Sequence, residues 1–182
     1  MSDDAIGPPV LVTTERLIVR RFHAGDVDAI EAYRNDPEVA RFASWSVPWT
    51  HDDAVMLVAE MALRDPLFER GEWAHLAIER LDHPGLIGDI AVLWQAEDDV
   101  AEVAFALARS EWGGGHMSEA LAAVCEQIAR EMGLRLVAAV TALADGRGRS
   151  VLEQVGFRPV AVEGEDVVYA RKPEWESGSV AR

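Results

Sequence analysis

Three consecutive glycines, Gly113-Gly114-Gly115, join an apolar segment at 100–107 to a stretch over 116–131 with helical periodicity. This junction constrains the fold more than any other feature. A strand that turns through glycines straight into a helix is a βα unit, and such a unit needs a sheet to pack against. In the helical stretch Leu121, Val124, Cys125, Ile128 and Met132 recur three and four residues apart, and Gly133 stops it. Glycines let backbone N–H groups turn towards a ligand, and a helix N-terminus adds roughly half a positive charge. The turn therefore favours a phosphate or pyrophosphate. It lacks the Lys-Ser/Thr ending of a P-loop and the G-x-G-x-x-G spacing of a dinucleotide fingerprint. Taken alone, the glycines are also readable as a flexible connection.

Around the junction the chain reads as a mixed α/β (α+β) domain with a largely antiparallel first half. A strand is predicted at 17–22, and Asp26 offers an N-cap to a helix that ends near Arg34, before Asn35-Asp36-Pro37. Thr50 can cap a second helix with Val55, Leu57, Val58, Met61 and Ala62 as its apolar face, and Asp65-Pro66 ends it. Strands are predicted at 73–79, 86–94 and 100–107, with Glu97-Asp98-Asp99 as a hairpin turn. A buried strand at 134–141, a short helix at 149–154 and a hairpin of 157–162 with 167–170 complete the series. One domain over 1–182 is expected, with its core at about 13–172 and loose ends at 1–12 and 174–182.

Charge bounds the partners. The 182 residues carry 17 Lys plus Arg against 32 Asp plus Glu, a formal −15, and Lys172 is the only lysine. Such a surface repels a nucleic-acid duplex, so no nucleic acid is expected as a partner. No apolar run approaches the ~20 residues that span a bilayer, so no membrane partner is expected either. The acidic start Met1-Ser2-Asp3-Asp4 lacks a basic-then-apolar leader, which makes the cytoplasm the expected location. The single cysteine, Cys125, excludes an internal disulfide and a Cys-based zinc site, and no metal is expected.

Four segments in order resemble the GNAT acetyltransferase superfamily, and within it the branch of ribosomal-protein alanine N-acetyltransferases and related small-molecule enzymes. Thr14-Glu15-Arg16-Leu17-Ile18-Val19-Arg20 is similar to the branch's first strand, and Asn35-Asp36-Pro37-Glu38-Val39 to the exit of its first helix. The run from Trp112 to Leu121 resembles its acetyl-CoA pyrophosphate loop. The run from Ser150 to Phe157 resembles its second cofactor helix and the strand after it. Together with Leu86-Ile87-Gly88, the likeness covers about 13–172. It implies a V-shaped sheet splayed between the fourth and fifth of the predicted strands, at 100–107 and 134–141. Val103, Phe105 and Leu107 would pair with the pantetheine arm of acetyl-CoA. Gly113, Gly114, Gly115, His116, Met117 and Ser118 would bind pyrophosphate, with Asp145, Arg109, Arg147 and Arg149 beside them. The sequence departs from the family at Met117 (usually Gly or Ala), Asp145 (usually Asn), Gly148 (usually Ser) and Leu152 (often a tyrosine that protonates the leaving thiolate).

Amine acetylation needs a neutral amine close to the thioester, a base, and a donor for the oxyanion. Glu102 is the first candidate base, at the start of a strand with Ala104 and Ala106 on its face, and Asp89 is the second. Phe105 and Ala106 are the nearest backbone candidates for the oxyanion. His75 and His116 rank lower, Cys125 reads as a buried and inert thiol, and Trp45 with Trp49 could line a substrate mouth or pack a loop. Five acids and no base lie between Asp89 and Glu102, which tilts the acceptor towards a cationic amine, either a small molecule or a peptide. A homodimer is compatible with the resemblance. Two functions stay open: acetyl transfer to an amine by direct transfer in a ternary complex, and a CoA-binding sensor that has lost turnover.

Overall fold

Central strands apolar on both faces, and helices apolar along one stripe, give a sheet covered on two sides. The computed structural model describes residues 9–95 and 97–173. Its elements in order are β1 (Val10–Thr13), β2 (Leu17–Arg20), α1 (Val27–Arg34), α2 (Pro37–Ala40) and α3 (His51–Leu63), then β3 (Trp73–Arg80), β4 (Leu86–Trp94) and β5 (Val100–Leu107). There follow α4 (His116–Met132), β6 (Leu136–Ala142), α5 (Gly146–Gln154), β7 (Arg158–Glu163) and β8 (Asp166–Arg171). The strands form one sheet in the order β1-β2-β3-β4-β5-β6-β8-β7. Every neighbouring pair is antiparallel except β5 with β6.

On one face α4 lays Leu121, Val124 and Ile128 against Leu17, Val19, Leu76, Ile90, Val92 and Val103. On the other, α1 and α3 lay Ile30, Tyr33, Val58 and Met61 over Ala77 and Ala106. Three expectations change here. The buried stripe of α3 is Ala54, Val58 and Met61, spaced four and three apart, while Val55 is exposed. Thr50 caps α3 as read, in a reciprocal box with Asp53. Asp26 makes no side-chain cap to α1, because the Arg20 guanidinium takes both its carboxylate oxygens, at 2.8 and 2.9 Å, and the His23 amide shares one. Residues 10–12, expected to be loose, form with Thr13 the edge strand β1, so the splayed pair counts as the fifth and sixth strands. The remaining end segments, 1–8 and 174–182, lie outside the described residues.

The parallel pair positions the site. Strand β5 registers with β6 only at Val100↔Leu136, Ala101↔Val137 and Glu102↔Ala138, yet stays registered with β4 as far as Leu107. Beyond Glu102 the two strands part and a V opens. On the β4 side, Val100 O accepts from Gln95 N and Ala108 N donates to Ile87 O. Backbone direction alternates along an unbroken antiparallel register. The even-numbered residues of β5 therefore turn their N–H and C=O to β4, and Val103, Phe105 and Leu107 turn theirs into the V.

Candidate active site

A cleft of about 750 Å³ occupies the mouth of the V. One wall is the end of β5 (Phe105, Ala106, Leu107) with the glycine turn; the opposite wall is the start of α5. Gly113 and Gly115 have φ of +81° and +74°, a left-handed backbone that glycine adopts at little cost. Gly113, Gly115, His116, Met117 and Ser118 border the cleft, whereas Gly114 does not. Met117 is nearly buried in the core under α4, so an apolar side chain suits the position where the family has a smaller one. Ser118 Oγ donates to Gln154 Oε1 at 2.8 Å, which ties the first turn of α4 to α5. His116 Nδ1 lies 3.2 Å from Glu111 Oε2 but off the line of a hydrogen bond, and Glu111 also meets Arg80.

Helix α5 brings a second N-terminus to the same cleft. Asp145 caps it by accepting from Gly148 N at 2.9 Å, and Thr141 Oγ1 donates to its other oxygen at 3.3 Å. A Cβ on residue 148 would overlap Asp145 Oδ2. The two departures from the family pattern, Asp145 and Gly148, are thus one packing solution. Arg147 borders the cleft with its guanidinium 4.4 Å from the Trp112 ring centre. Arg149 and Arg109 do not join it. The Arg149 guanidinium donates to Tyr169 Oη and Leu143 O, and Arg109 borders a separate shallow pocket with Ala29, Tyr33 and Asp36. Neither is positioned for the cofactor role the resemblance implies. Val103, at 1% exposure, offers only backbone to the V. Of the two oxyanion candidates Phe105 faces the V; Ala106 is corrected, because its N–H is directed to β4.

The third wall is Glu38, Val39, Arg41, Phe42, Ala43 and Trp45, from α2 and the loop after it. Of these the sequence singles out only Trp45 as able to line a substrate mouth. This wall hangs from the end of α1. The Arg34 guanidinium lies between the rings of Trp45 and Trp49, 4.6 and 4.5 Å from their centres, and Trp45 Nε1 donates to Arg34 O. Asn35 holds Trp49 through two backbone bonds of 2.7 and 2.8 Å. Beneath them sits Asp89, which accepts from Tyr33 Oη at 2.5 Å and Arg34 Nη2 at 2.9 Å and lies 2.8 Å from His75 Nδ1. Burial pushes the Asp89 carboxyl up, but the Arg34 charge and the bonds from His75 and Tyr33 outweigh it and hold the acid well below the ordinary carboxylate range. With its oxygens engaged by Tyr33, Arg34 and His75, Asp89 anchors the wall and is not placed as a base.

Glu102 stands at the vertex of the V, in the last β5–β6 pair, on the sheet face it shares with Ala104, Ala106 and Asp89. It lies deeper than the β5 residues that border the cleft, Phe105 to Leu107. It is half-buried, and burial raises its carboxyl above the ordinary value. Cys125 is buried as expected, its thiol pushed up to about 12 by desolvation. Leu152 is a fully buried core residue, so no proton donor stands at that position.

A half-open sheet with two helix N-termini and strand backbone facing one cleft is the architecture of an acetyltransferase fold. The chain belongs to the acetyltransferase (GNAT) domain family, which matches residues 16–158. It is 26% identical over 153 residues to the uncharacterized N-acetyltransferase YoaA of Bacillus subtilis (strain 168), covering 84% of this chain and 85% of that one. Its fold is that of a GNAT-family acetyltransferase from Bacillus anthracis (TM-score 0.77, 20% identity, 90% of this chain and 98% of that chain). It is likewise that of RimL, a ribosomal L7/L12 alpha-N-protein acetyltransferase solved in complex with coenzyme A (TM-score 0.76, 18% identity, 91% and 98%). No helix among the described residues is long and apolar enough to cross a membrane.

Proposed function

We propose that the protein transfers the acetyl group of acetyl-CoA to a primary amine by direct transfer in a ternary complex. The observation that carries this reading is the convergence of the α4 N-terminus, the α5 N-terminus and the end of β5 at Phe105 and Leu107 on one cleft. The outward backbone of β5 continues from it into the V as far as Val103. The pyrophosphate sits on the amides of Gly113, Gly115, His116, Met117 and Ser118, with the Arg147 guanidinium beside it. The pantetheine arm adds as a strand to β5. Four residue rises of about 3.3 Å take it some 13 Å, from Leu107 to Val103. Its thioester then lies at the vertex, beside Glu102.

The amine enters from the side of Trp45 and Phe42, over a floor of Ala104 and Ala106. Glu102, directly or through one water, takes a proton from the amine as nitrogen attacks the thioester carbon. A higher carboxyl pKa makes it a better acceptor near neutral pH. The carbon–nitrogen bond forms, the oxyanion is held by the Phe105 N–H, and collapse breaks the carbon–sulfur bond. With Leu152 unable to supply a proton, the thiolate takes one from solvent, which a thiol of pKa about 8.5 tolerates. Glu38 and Glu102 at the acceptor end favour a cationic amine, whether a small molecule or a peptide α-amine. A panel of such amines, followed by release of free thiol from acetyl-CoA, tests the reading. Acetyl transfer to at least one is expected; CoA binding with no turnover on any would favour the sensor function instead.

A further inference from the structure

The glycine turn is held from behind by the link between β1 and β2. Thr14 Oγ1 donates to Glu119 Oε1 at 2.6 Å, and Arg16 N donates to the same oxygen at 2.9 Å. Arg16 Nε donates to Glu119 Oε2 at 2.6 Å, and Arg16 Nη1 donates to the carbonyl of Gly114 at 2.8 Å. Arg16 Nη2 also lies 3.5 Å from the point a Cβ on Gly115 would occupy, so the guanidinium backs the turn closely.

In a trans peptide the carbonyl and the following N–H point in opposite directions. Fixing the Gly114 carbonyl on Arg16 therefore turns the Gly115 N–H away from Arg16, towards the cleft that Gly115 borders and Gly114 does not. A peptide flanked by two glycines has little steric preference for one orientation of its plane. Something outside the turn must choose it. We propose that Arg16, itself oriented by Glu119 and Thr14, is a positioning residue that sets the Gly114–Gly115 peptide so that the Gly115 amide is presented to the pyrophosphate of CoA. The proposal rests on the reading of the cleft as a CoA site. It also gives a purpose to Thr14 and Arg16 in the first sequence motif, 98 residues and more from the turn they touch. With the Arg16 side chain 46% exposed, the strap contributes little to global stability, and its effect is local to the turn.

Calorimetric titration of the whole protein with CoA, inorganic pyrophosphate and pantetheine tests this. In Arg16→Met the dissociation constants for CoA and pyrophosphate rise about tenfold, the scale of one charge-assisted hydrogen bond. That for pantetheine stays unchanged, as does the melting temperature, and Arg16→Lys recovers part of the loss. Glu119→Ala separates positioning from charge. It removes a negative charge near the phosphates, so charge alone would tighten CoA binding, whereas loss of the strap weakens it. Tighter binding in Glu119→Ala, or unchanged CoA affinity in Arg16→Met beside a wild type that binds, overturns the proposal alone. A wild type that binds no CoA overturns the reading of the cleft and the strap with it.

Discussion

The two halves of the cleft are built on opposite plans. The half proposed to hold the cofactor is made of backbone: two helix N-termini, a glycine turn and a strand edge whose amides face the V. The half proposed to receive the acceptor is made of side chains, with Trp45 and Phe42 on a loop hung from Arg34 and the buried Asp89 cluster. Backbone recognition tolerates substitution at most side chains, provided glycine stays where φ is positive. Side-chain recognition depends on a chain of contacts in which one missing member loosens the rest. The lesson is that binding of the cofactor and stability of the acceptor wall fail separately, and substitutions can be aimed at one without the other.

The largest effect falls on the acceptor half. Asp89→Asn leaves the Arg34 guanidinium buried without its counter-charge, and urea unfolding should report a loss of about 3–5 kcal/mol. The same carboxylate sets an acid limit. Its folded-state pKa is depressed, so its contribution is complete above the ordinary value of about 4 and is lost as pH falls towards the folded one. Asp89→Asn should flatten that acid limb of the stability profile. A variant as stable as wild type would break the distinction between the halves.

Next in size, Glu102→Gln should lower turnover about a hundredfold at saturating substrates while the acetyl-CoA dissociation constant stays put. Because burial raises the Glu102 carboxyl, the wild-type rate climbs as pH rises through that titration, and the climb disappears in the glutamine variant. Persistence of the same rising limb would remove Glu102 from proton transfer. A smaller effect belongs to the cofactor half: Arg147→Ala should weaken CoA about tenfold and leave the rate at saturation unchanged. The smallest sharpens the acceptor side. Trp45→Ala removes a ring from Arg34, a contact of about 1 kcal/mol, and should raise the acceptor KM about fivefold with CoA affinity unaltered.

The two plans also explain what could be read in advance. Glycines before a periodic helix are a local signal, and the strands at Leu86–Trp94 and Val100–Leu107 fall where their apolar runs put them. The direction of the β5 amides was half legible: Val103, Phe105 and Leu107, the residues expected to pair with a pantetheine arm, turn their backbone into the V, while Ala106 has the wrong parity. Strand β1 carries the apolar Val10-Leu11-Val12, but its position near the chain end hid a signal that was present. Helix α2 has an Asp36 cap and Pro37 in its first turn, a start signal masked by the stop it also provides to α1. The Asp89 cluster and the Arg16 strap were not legible. Tyr33 meets Asp89 across 56 residues and Thr14 meets Glu119 across 105, and no periodicity encodes such pairings.

The central claim is that the cleft between the two helix N-termini takes the diphosphate and pantetheine of acetyl-CoA. Calorimetric titration of the wild-type protein with acetyl-CoA addresses it most directly. The account predicts saturable binding of one acetyl-CoA per chain, competed by CoA and weakened in Arg147→Ala. Absence of binding by the folded protein, or binding that Arg147→Ala leaves untouched and ATP displaces as well as CoA does, would contradict it.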